Sequence, residues 1–593
     1  MGKLVTEKNS RPSSPDIENF VQEKGKILIQ GVTTYCQQTS LHGWQYIVSE
    51  QGFMPKMYWL IIVLMSLALS VIYLVDNTKA YLKSTTVTSI DSTTAPLRDI
   101  LFPSVYICNV NQVTKSFLRN LEVHNDDNAA NLLFSNFLTG SKKSELNFEN
   151  QTLMDGMINK MKEIYNWNNQ TLFYNISSQI CSNMIIGVSW KSNPNYSDVF
   201  LDAFKSSTDY GACCLIMPYL DLENPLTKYL SPADYTGKDY HSIPKGLTRN
   251  GIQNGLSVMI DVESYEYAYF ERGAEGFRVA IEDCRDKPVI NQNGFYVSPG
   301  SETLLAIMPT ILNTSQEAMD RFTPEERNCY ADEEFRFKYL KYEFGFRYSM
   351  LNCLYESVLE QILKDCSCIP NFANFGLEDT DDIDVCRGKE LDCAIDKMNN
   401  FGNEEMHLTE AINTQNNNIS MICRERCEMQ DQDLSSTQSD YPNWQTFTAR
   451  KDFCLIFKKV VKVCENPIQK LALEETYKGE ITCNQITELS DGNQQLCQRN
   501  EILPDASVLK ENPYNIIGFL YKYMKKNIAV LQIFIRDPYY TLTKKDEHMP
   551  TVSWIGNTGG LVGLFMGLSF VSVFEMLYHG FNFLLRCLRL KYL

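Results

Sequence analysis

The stretch GLFMGLSFVSVFEML (563–577) combines a strongly apolar run with small residues, among them Gly563, Gly567 and Ser569, and with one carboxylate, Glu575. A simple membrane anchor requires none of these residues. Small side chains let helices approach each other closely inside lipid. A carboxylate in a membrane segment usually faces a helix bundle or water, because exposure to lipid is costly. The stretch therefore predicts a membrane segment that does more than anchor the chain.

Two segments are apolar enough to cross a bilayer. The first, 58–75, carries no charge and is close to the roughly 20 residues that a spanning helix needs. The second, 552–585, has Glu575 as its one formal charge. At about 1.5 Å per residue the second segment would be near 50 Å long, so it must tilt, break or project beyond the bilayer. Its glycines at 559, 560, 563 and 567 favour a break.

The predicted topology places both termini in the cytoplasm of a multi-pass plasma-membrane protein. No small-residue cleavage site follows the first apolar segment, so it is not read as a signal peptide. Basic residues without an acid follow the second segment, which places the tail inside. The predicted boundaries are a cytoplasmic arm (1–56), a first transmembrane helix (57–76), an extracellular domain (77–549), a second transmembrane helix (550–585) and a cytoplasmic tail (586–593).

Glycosylation sequons and cysteines support an extracellular middle domain. The chain has 19 cysteines, and all except Cys36 and Cys587 lie between the apolar segments. This density predicts disulfides in an oxidising compartment, and the odd number leaves at least one thiol without a partner in the domain. The connectivity stays open. The sequons, which are expected glycosylation sites, are Asn150, Asn169, Asn175, Asn195, Asn313 and Asn418.

Composition excludes several functions. The net charge of −17 disfavours nucleic acid as a partner. No GxSxG, HExxH or P-loop motif is present, and six scattered histidines do not form a metal or catalytic pattern. We therefore predict that the chain is not an enzyme, and we expect neither a cofactor nor a metal site. The acidic middle domain either is simply a solvated surface or concentrates cations and attracts a basic ligand.

Periodicity in the middle domain predicts a mixed α+β fold. Alternation predicts strands at 104–110, 256–262, 277–283 and 529–535. Apolar positions spaced three and four apart predict helices, which are 352–366 and 131–138. The acidic, Asn/Gln-rich segment 376–440 shows no clear period and is expected to be a disulfide-tied loop region.

A series of short motifs follows along the chain. They are SLHGWQYI (40–47), FPSVYICNVN (102–111), GACC (211–214), NGLSVMIDVESYEY (254–267), GFYVSPGSETLL (294–305), CRERC (423–427), YPNW (441–444) and GNTGGLVGLFMGLSFVSVFE (556–575). Taken in this order, they resemble the degenerin/epithelial sodium channel family of amiloride-sensitive cation channels. In this resemblance 254–267 and 294–305 correspond to paired strands of the palm. Two departures stand out: GACC replaces the aromatic-polar part of the family's GxCYTFN element, and Asn557 replaces an acidic residue.

The resemblance implies a trimer around one pore, either a homotrimer or a heterotrimer with related subunits. Each subunit would be an α+β membrane protein with two transmembrane helices flanking a large disulfide-rich extracellular domain of palm, thumb, finger, knuckle and β-ball. The channel would lie in a lipid bilayer. Sodium would be its permeant ion, and amiloride would block its pore. Gly567, Leu568 and Ser569 would form the selectivity filter, with backbone carbonyls replacing part of the hydration shell of the ion. Glu575 from three subunits would form an acidic ring below it.

The same resemblance implies roles in gating. His42 and Gly43 correspond to a pair that lies in a re-entrant loop beneath the filter and influences open probability. Gly556 corresponds to the degenerin position, where a bulky side chain hinders closing, and Asn557 follows it at the outer mouth. The ordinary alternatives are a chance dipeptide at 42–43, a linker glycine at 556, a helix-packing face at 563–569 and an interfacial carboxylate at 575.

The opening stimulus is less constrained by the sequence. Members of the family are constitutively open or gated by protons, peptides or force. No histidine lies between Asp76 and Cys108, where acid-sensing relatives carry one, and the tail lacks the PPxY motif of epithelial subunits. The acidic domain and 12% aromatic content favour a cationic aromatic neuropeptide of the RFamide type. The ligand-binding residues are unknown, and a two-span cell-surface receptor without a pore is the alternative of another class.

Overall fold

The computed structural model describes residues 29–589 apart from gaps, of which the longest are 121–155, 164–176, 191–203, 217–248, 370–385 and 401–422. Contacts divide the chain into two units. The helical unit comprises Met1–Val87, Ser315–Arg327 and Lys545–Leu593, and the disulfide-rich unit comprises Thr88–Thr314 and Asn328–Lys544.

Helices occur in both units. They are α1 (Trp44–Val48), α2 (Phe53–Lys83), α3 (Lys115–Asn120), α4 (Cys181–Met184), α5 (Ile290–Asn293), α6 (Gln316–Arg321), α7 (Pro324–Arg327), α8 (Met350–Cys366), α9 (Lys389–Asn400), α10 (Asp452–Glu465), α11 (Pro467–Thr476), α12 (Cys483–Glu488), α13 (Pro513–Asn527), α14 (Thr551–Met566) and α15 (Phe570–Arg589). Residues 29–38 are also helical.

The strands among the described residues form three sheets. They are β1 (Thr86–Pro96), β2 (Ser104–Asn109), β3 (Ile185–Trp190), β4 (Phe204–Thr208), β5 (Gly211–Ile216), β6 (Leu256–Asp261), β7 (Phe277–Glu282), β8 (Phe295–Val297), β9 (Ser301–Thr314), β10 (Cys329–Tyr330), β11 (Glu425–Arg426), β12 (Glu428–Asp440), β13 (Ile528–Ile535) and β14 (Tyr539–Glu547). The large sheet has the order β1-β14-β9-β13-β6-β3, with β12 paired to β9; the second has the order β4-β5-β2-β7-β8; β10 pairs with β11.

Apolar residues on both faces explain how β6 and β13 sit inside the disulfide-rich unit. On β6, Leu256, Val258 and Ile260 face one core, which they share with residues of the second sheet. Met259 faces a second core, where helices α10, α11 and α13 cover the sheet. Because successive side chains of a strand point to opposite faces, a strand that is covered on both sides reads as a nearly continuous apolar run. The strands predicted at 104–110, 256–262, 277–283 and 529–535 are confirmed.

Eight disulfides tie the described part of this unit together, which confirms the prediction of a disulfide-rich fold. They are Cys108–Cys213, Cys181–Cys214, Cys329–Cys427, Cys353–Cys423, Cys366–Cys393, Cys368–Cys386, Cys454–Cys497 and Cys464–Cys483. Both cysteines of GACC take part, and they join β5 to β2 and to α4. Cys284 lies outside the described residues. Cys36 in the arm is buried and unbonded.

Two expectations are corrected by the structure. The segment 376–440 is not a loop throughout, since it contains α9 and the long strand β12. The residues of β12 are mostly exposed, so the strand has no alternating apolar pattern, and its pairing with β9 sets its conformation. Strand β6, within 254–267, does not pair with either strand within 294–305, since β8 pairs with β7 and β9 lies next to β13. Strand β13 lies between β6 and β9, antiparallel to β6 and parallel to β9.

The helix predicted at 352–366 is confirmed as α8, whose N-cap Ser349 accepts a hydrogen bond from the Asn352 N–H. The helix predicted at 131–138 lies outside the described residues.

In the helical unit, α2 is long and apolar enough to cross a membrane, and it extends beyond the predicted span of 57–76 at both ends. Helices α14 and α15 pass the same test as a pair, bent by 64° at a short break. Two such elements fit the predicted two-span architecture. The break falls between Met566 and Phe570, within the stretch that carries the small residues.

Candidate functional site

The break between α14 and α15 is formed by Gly567, Leu568 and Ser569. Gly567 ends α14 with a φ of 70°, and its N–H donates to the Gly563 carbonyl at 2.8 Å. This left-handed conformation is common at helix ends and is strained for residues with a Cβ. The sequence Gly-Leu-Ser therefore stops one helix and releases backbone groups at the point where the next begins.

Ser569 caps the second half-helix. Its Oγ accepts a hydrogen bond from the Ser572 N–H at 3.3 Å, and Ser572 Oγ accepts from the Ser569 N–H at 3.0 Å. This reciprocal arrangement has the spacing of a capping box, with serine in place of the usual acid. Ser572 is fully buried, whereas Ser569 is exposed. The Ser-x-x-Ser spacing carried a signal for this cap that the sequence analysis missed.

The arm that precedes α2 reaches the break. The His42 N–H donates to the Met566 carbonyl at 2.9 Å, so the arm caps the end of α14. A Cβ on Gly567 would lie 2.6 Å from His42 Cδ2, which leaves no room for a side chain. Gly43 has a φ of 82°, and a Cβ there would meet Val63 Cγ2 at 2.7 Å. The sequence-predicted residues His42, Gly43 and Gly567 are thus brought together.

Glu575 is half-buried and accepts hydrogen bonds from the arm. Its Oε2 lies 3.0 Å from the Ser40 N–H nitrogen, 3.1 Å from Ser40 Oγ and 3.5 Å from Thr39 Oγ1. Ser40 Oγ also lies 2.6 Å from Ser572 Oγ. None of these donors is charged, so the carboxylate keeps its net charge. Thr39 and Ser40 were not predicted, because no local pattern links them to a residue more than 500 positions away.

Side-chain contacts join α2 to α14. Asn77 Nδ2 donates to Thr558 Oγ1 at 3.0 Å, and the rings of Tyr81 and Trp554 stack with centroids 5.0 Å apart. Gly556, by contrast, has open space around its Cβ position, and Asn557 is exposed. A Cβ at position 556 therefore meets no obstacle among the residues that the structure describes.

Arg321 of α6 contacts the C-terminal end of α2 and the segment that leads into α14. Its guanidinium lies 4.0 Å from the centre of the Tyr81 ring and donates to the Tyr81 carbonyl at 3.0 Å. It also donates to the Met549 carbonyl at 2.8 Å and to Glu547 Oε1 at 3.3 Å. One cation thereby links α6, the end of α2 and the entrance to α14.

The disulfide-rich unit contains a buried acidic cluster, defined here as Asp261, Glu263, Glu266 and Lys459. Each of the three acids is exposed by 2% or less. Lys459 Nζ lies 2.7 Å from Glu263 Oε1, and the Tyr523 hydroxyl donates to Asp261 Oδ2 at 2.7 Å. One lysine therefore faces three carboxylates away from water.

Burial dominates the ionisation of this cluster. It raises the pKa of Asp261 to about 7, an effect that Glu263 reinforces and that Lys459 and the Tyr523 hydrogen bond oppose. Burial also raises the pKa of Glu266, against two hydrogen bonds from Ser116. Burial disfavours the charged form of Lys459, but Glu263 and Asp261 outweigh it and raise the pKa of the ammonium. These shifts follow from removing charges from water.

A cavity of about 400 Å³ lies elsewhere in the disulfide-rich unit. Its acidic residues are Glu282, Glu425 and Asp431, and Arg426 is the basic residue in its lining. The rest of the wall consists of apolar side chains. They are Ile281, Met350, Leu351, Met429 and Leu434. A concave site with apolar walls and a few charged groups is typical of ligand pockets.

Of the predicted glycosylation sites, Asn313 is described and is exposed on β9. The others, Asn150, Asn169, Asn175, Asn195 and Asn418, lie outside the described residues. Within the described ranges, no group of three histidine, cysteine or acidic side chains could hold a metal ion.

Two membrane-spanning elements, the second broken at a glycine-serine step and capped by the preceding arm, together with a disulfide-rich α+β unit, define a two-span ion channel. A family model described as amiloride-sensitive sodium channel matches residues 35–579. The chain belongs to this family. It is therefore a plasma-membrane subunit of an amiloride-sensitive, trimeric sodium channel and not an enzyme.

Several curated proteins are similar at low identity. Pickpocket protein 28 of Drosophila melanogaster is 21% identical over 597 residues, which cover 95% of this chain and 80% of that protein. Sodium channel protein Nach of Drosophila ananassae is 22% identical over 572 residues, covering 93% and 86%. Acid-sensing ion channel 1A of Danio rerio is 24% identical over 289 residues, covering 46% and 50%.

Proposed function

We propose that this chain forms a sodium-selective channel that an extracellular neuropeptide of the RFamide type opens. The observation that carries the proposal is the cavity in the disulfide-rich unit. Three carboxylates against one arginine give it a negative balance that suits a cationic side chain, and its apolar wall suits an aromatic one. The proposal includes cytoplasmic termini, which place the disulfide-rich unit and this cavity outside the cell.

The break between α14 and α15 supports a filter at Gly567, Leu568 and Ser569. Backbone carbonyls freed from helical pairing can replace part of the hydration shell of a cation. Glu575 supplies a negative charge six residues further along, and in a trimer it would form a ring that attracts cations. His42 and Gly43 support this geometry from the arm. Gly556, with open space around it, is proposed as the position where bulk prevents closure.

The test is voltage-clamp recording from cells that express the full chain alone, with sodium as the main external cation. An RFamide peptide panel, pH 5 solution and amiloride are applied in turn. The expected result is a rapid, amiloride-blocked sodium current evoked by peptide. A current evoked by protons alone would replace the peptide as the stimulus, and silence would indicate a subunit that needs a heteromeric partner.

Variants of the cavity locate the ligand. Asp431→Asn and Glu282→Gln should raise the peptide concentration needed for half-activation roughly tenfold each, because each removes one charged partner. Amiloride block should not change. Asp433→Asn is the matched control, since Asp433 lies on the same strand β12 and does not line the cavity. Unchanged peptide potency in both cavity variants would move the binding site elsewhere.

Gly556→Phe tests the pore independently of the stimulus that opens it. A standing inward sodium current is expected without any ligand, and normal closure would contradict the assignment of this position.

A further inference from the structure

The Ser572 hydroxyl lies where the break, α15 and the arm meet. Its side chain is fully buried. Ser572 Oγ accepts from the Ser569 N–H at 3.0 Å and lies 2.6 Å from Ser40 Oγ and 3.4 Å from the Gly567 carbonyl oxygen. The hydroxyl therefore contacts two of the three proposed filter residues and one residue of the arm.

The direction of these hydrogen bonds follows from counting protons. Each serine hydroxyl has one proton to donate, and an ionised carboxylate can only accept. Ser40 Oγ lies 3.1 Å from Glu575 Oε2, and charge makes a carboxylate a stronger acceptor than a neutral hydroxyl. Ser40 consequently donates to Glu575 and accepts from Ser572 at 2.6 Å.

This arrangement leaves the Gly567 carbonyl free of a close donor from Ser572. The proton of Ser572 is committed to Ser40, and the Gly567 oxygen at 3.4 Å receives at most a weak contact. If the Ser40 hydroxyl is removed, the Ser572 proton is left with the Gly567 carbonyl and the Ser569 hydroxyl, which lies 3.1 Å away. A carbonyl oxygen that already accepts a hydrogen bond from a hydroxyl coordinates a permeating cation more weakly.

We propose that Ser572 is a positioning residue for ion selectivity, and that its hydroxyl couples the arm to the Gly567 carbonyl through Ser40 and Glu575. This inference rests on the proposed filter at Gly567–Ser569. Ser572 acts through the geometry and hydrogen bonding of the filter carbonyl, and it does not itself contact the ion.

The experiment measures the Na⁺/K⁺ permeability ratio from reversal potentials of the amiloride-blocked current, with surface biotinylation of the full chain. Ser572→Ala removes the hydroxyl without adding volume. Ser40→Ala removes the hydroxyl that pairs with Ser572, and Ser40 is exposed. Ser40→Thr keeps this hydroxyl, and the exposed position has room for the added methyl group. Ser553→Ala, an exposed serine on α14, is the matched control. The Gly556→Phe background supplies current where no stimulus is available.

We expect both alanine variants to change the permeability ratio by roughly two- to tenfold, the size of one hydrogen bond. Ser40→Thr and Ser553→Ala should keep the original ratio. The Ser40→Ala/Ser572→Ala double variant should show no more change than Ser572→Ala alone, because both act through one hydroxyl. If Ser572→Ala fails to reach the cell surface, the permeability ratio of Ser40→Ala tests the proposal.

The outcomes distinguish the role of Ser572 from the existence of the filter. Unchanged ratios in Ser572→Ala and Ser40→Ala, together with a changed ratio in Ser569→Cys, would exclude the role of Ser572 and leave the filter in place. Unchanged ratios in all three variants would exclude the filter itself. Additive changes in the double variant would show that the two serines act independently.

Discussion

Glu575 is a half-buried carboxylate and Glu263 is a fully buried one, and the chain stabilises them in different ways. Glu575, in the broken span, accepts only from neutral donors of the arm. Glu263, in the disulfide-rich unit, is 2.7 Å from the Lys459 ammonium. Neutral donors hold a carboxylate in place and leave its charge available to ions, whereas a lysine cancels that charge. The second acid therefore serves the fold, and under the proposed function the first serves conduction.

Lys459→Met should have the largest effect, because it leaves Glu263 buried without its cation. Breaking a buried ion pair by removing one partner costs about 3–5 kcal/mol. The measurement is thermal unfolding of the full chain in detergent. Lys462→Met, on the same helix α10 but exposed, is the control. Adding Glu263→Gln to Lys459→Met should recover part of the loss, and an unchanged Tm in Lys459→Met would contradict the structural role of the pair.

Gly567→Ala should abolish most of the sodium current. The left-handed conformation disfavours a non-glycine residue by about 1–2 kcal/mol, and the new Cβ would lie 2.6 Å from His42. Gly560→Ala is the control, since its Cβ position is open. We expect at least a roughly tenfold loss of amiloride-blocked current per surface channel, as 1.4 kcal/mol is a tenfold change. Equal losses in both variants would mean that helix packing, and not the break, is responsible.

Glu575→Ala should loosen the arm more than Glu575→Gln does. A hydrogen bond to a charged group contributes about 1.5–3 kcal/mol and a neutral one about 0.5–1.5, so the amide should retain part of the contact. The buried thiol of Cys36 reports on the arm through its labelling by a membrane-permeant maleimide. The measurement uses a Cys587→Ser background with Cys36→Ser as the blank. Slower labelling of the alanine variant than of the glutamine variant would contradict the docking role.

The free energy of unfolding should pass through a minimum near neutral pH. This is the smallest effect among these predictions. Burial raises the pKa of Asp261 to about 7 and lowers that of Lys205 to about 7. Between about pH 4 and 7 the folded chain holds a proton on Asp261 that the unfolded chain has released, so stability falls as pH rises. Between about 7 and 10 the unfolded chain holds the extra proton on Lys205, so stability rises with pH.

Single variants should flatten one side of this profile each. Asp261→Asn should reduce the change on the acidic side, to which Glu266 also contributes, and Lys205→Met should reduce the change on the alkaline side, by roughly 2–4 °C in Tm each. The check is Tm of the full chain across pH. A profile that keeps both slopes in Asp261→Asn would assign the acidic side to another group.

The two regions also differ in how far the sequence predicts them. The strand-like apolar pattern located β2, β6, β7 and β13, because strands that are buried on both faces carry apolar side chains on both. It missed β12, whose exposed polar residues form a strand through pairing with β9. The motif at 556–575 located the break, but not its partners: Ser40 and Ser572 meet 532 positions apart.

What the sequence determined by itself is the chemistry of single segments. Length and apolarity marked both spans, cysteine density marked the disulfide-rich unit, and the glycines before Ser569 marked the break in the second span. Tertiary structure alone decided which groups meet: the arm at Met566 and Glu575, Arg321 at Tyr81, and Lys459 at Glu263. Hydrogen bonds and ion pairs depend on distances of about 3 Å between atoms, and only the folded chain sets distances between residues that are far apart in sequence.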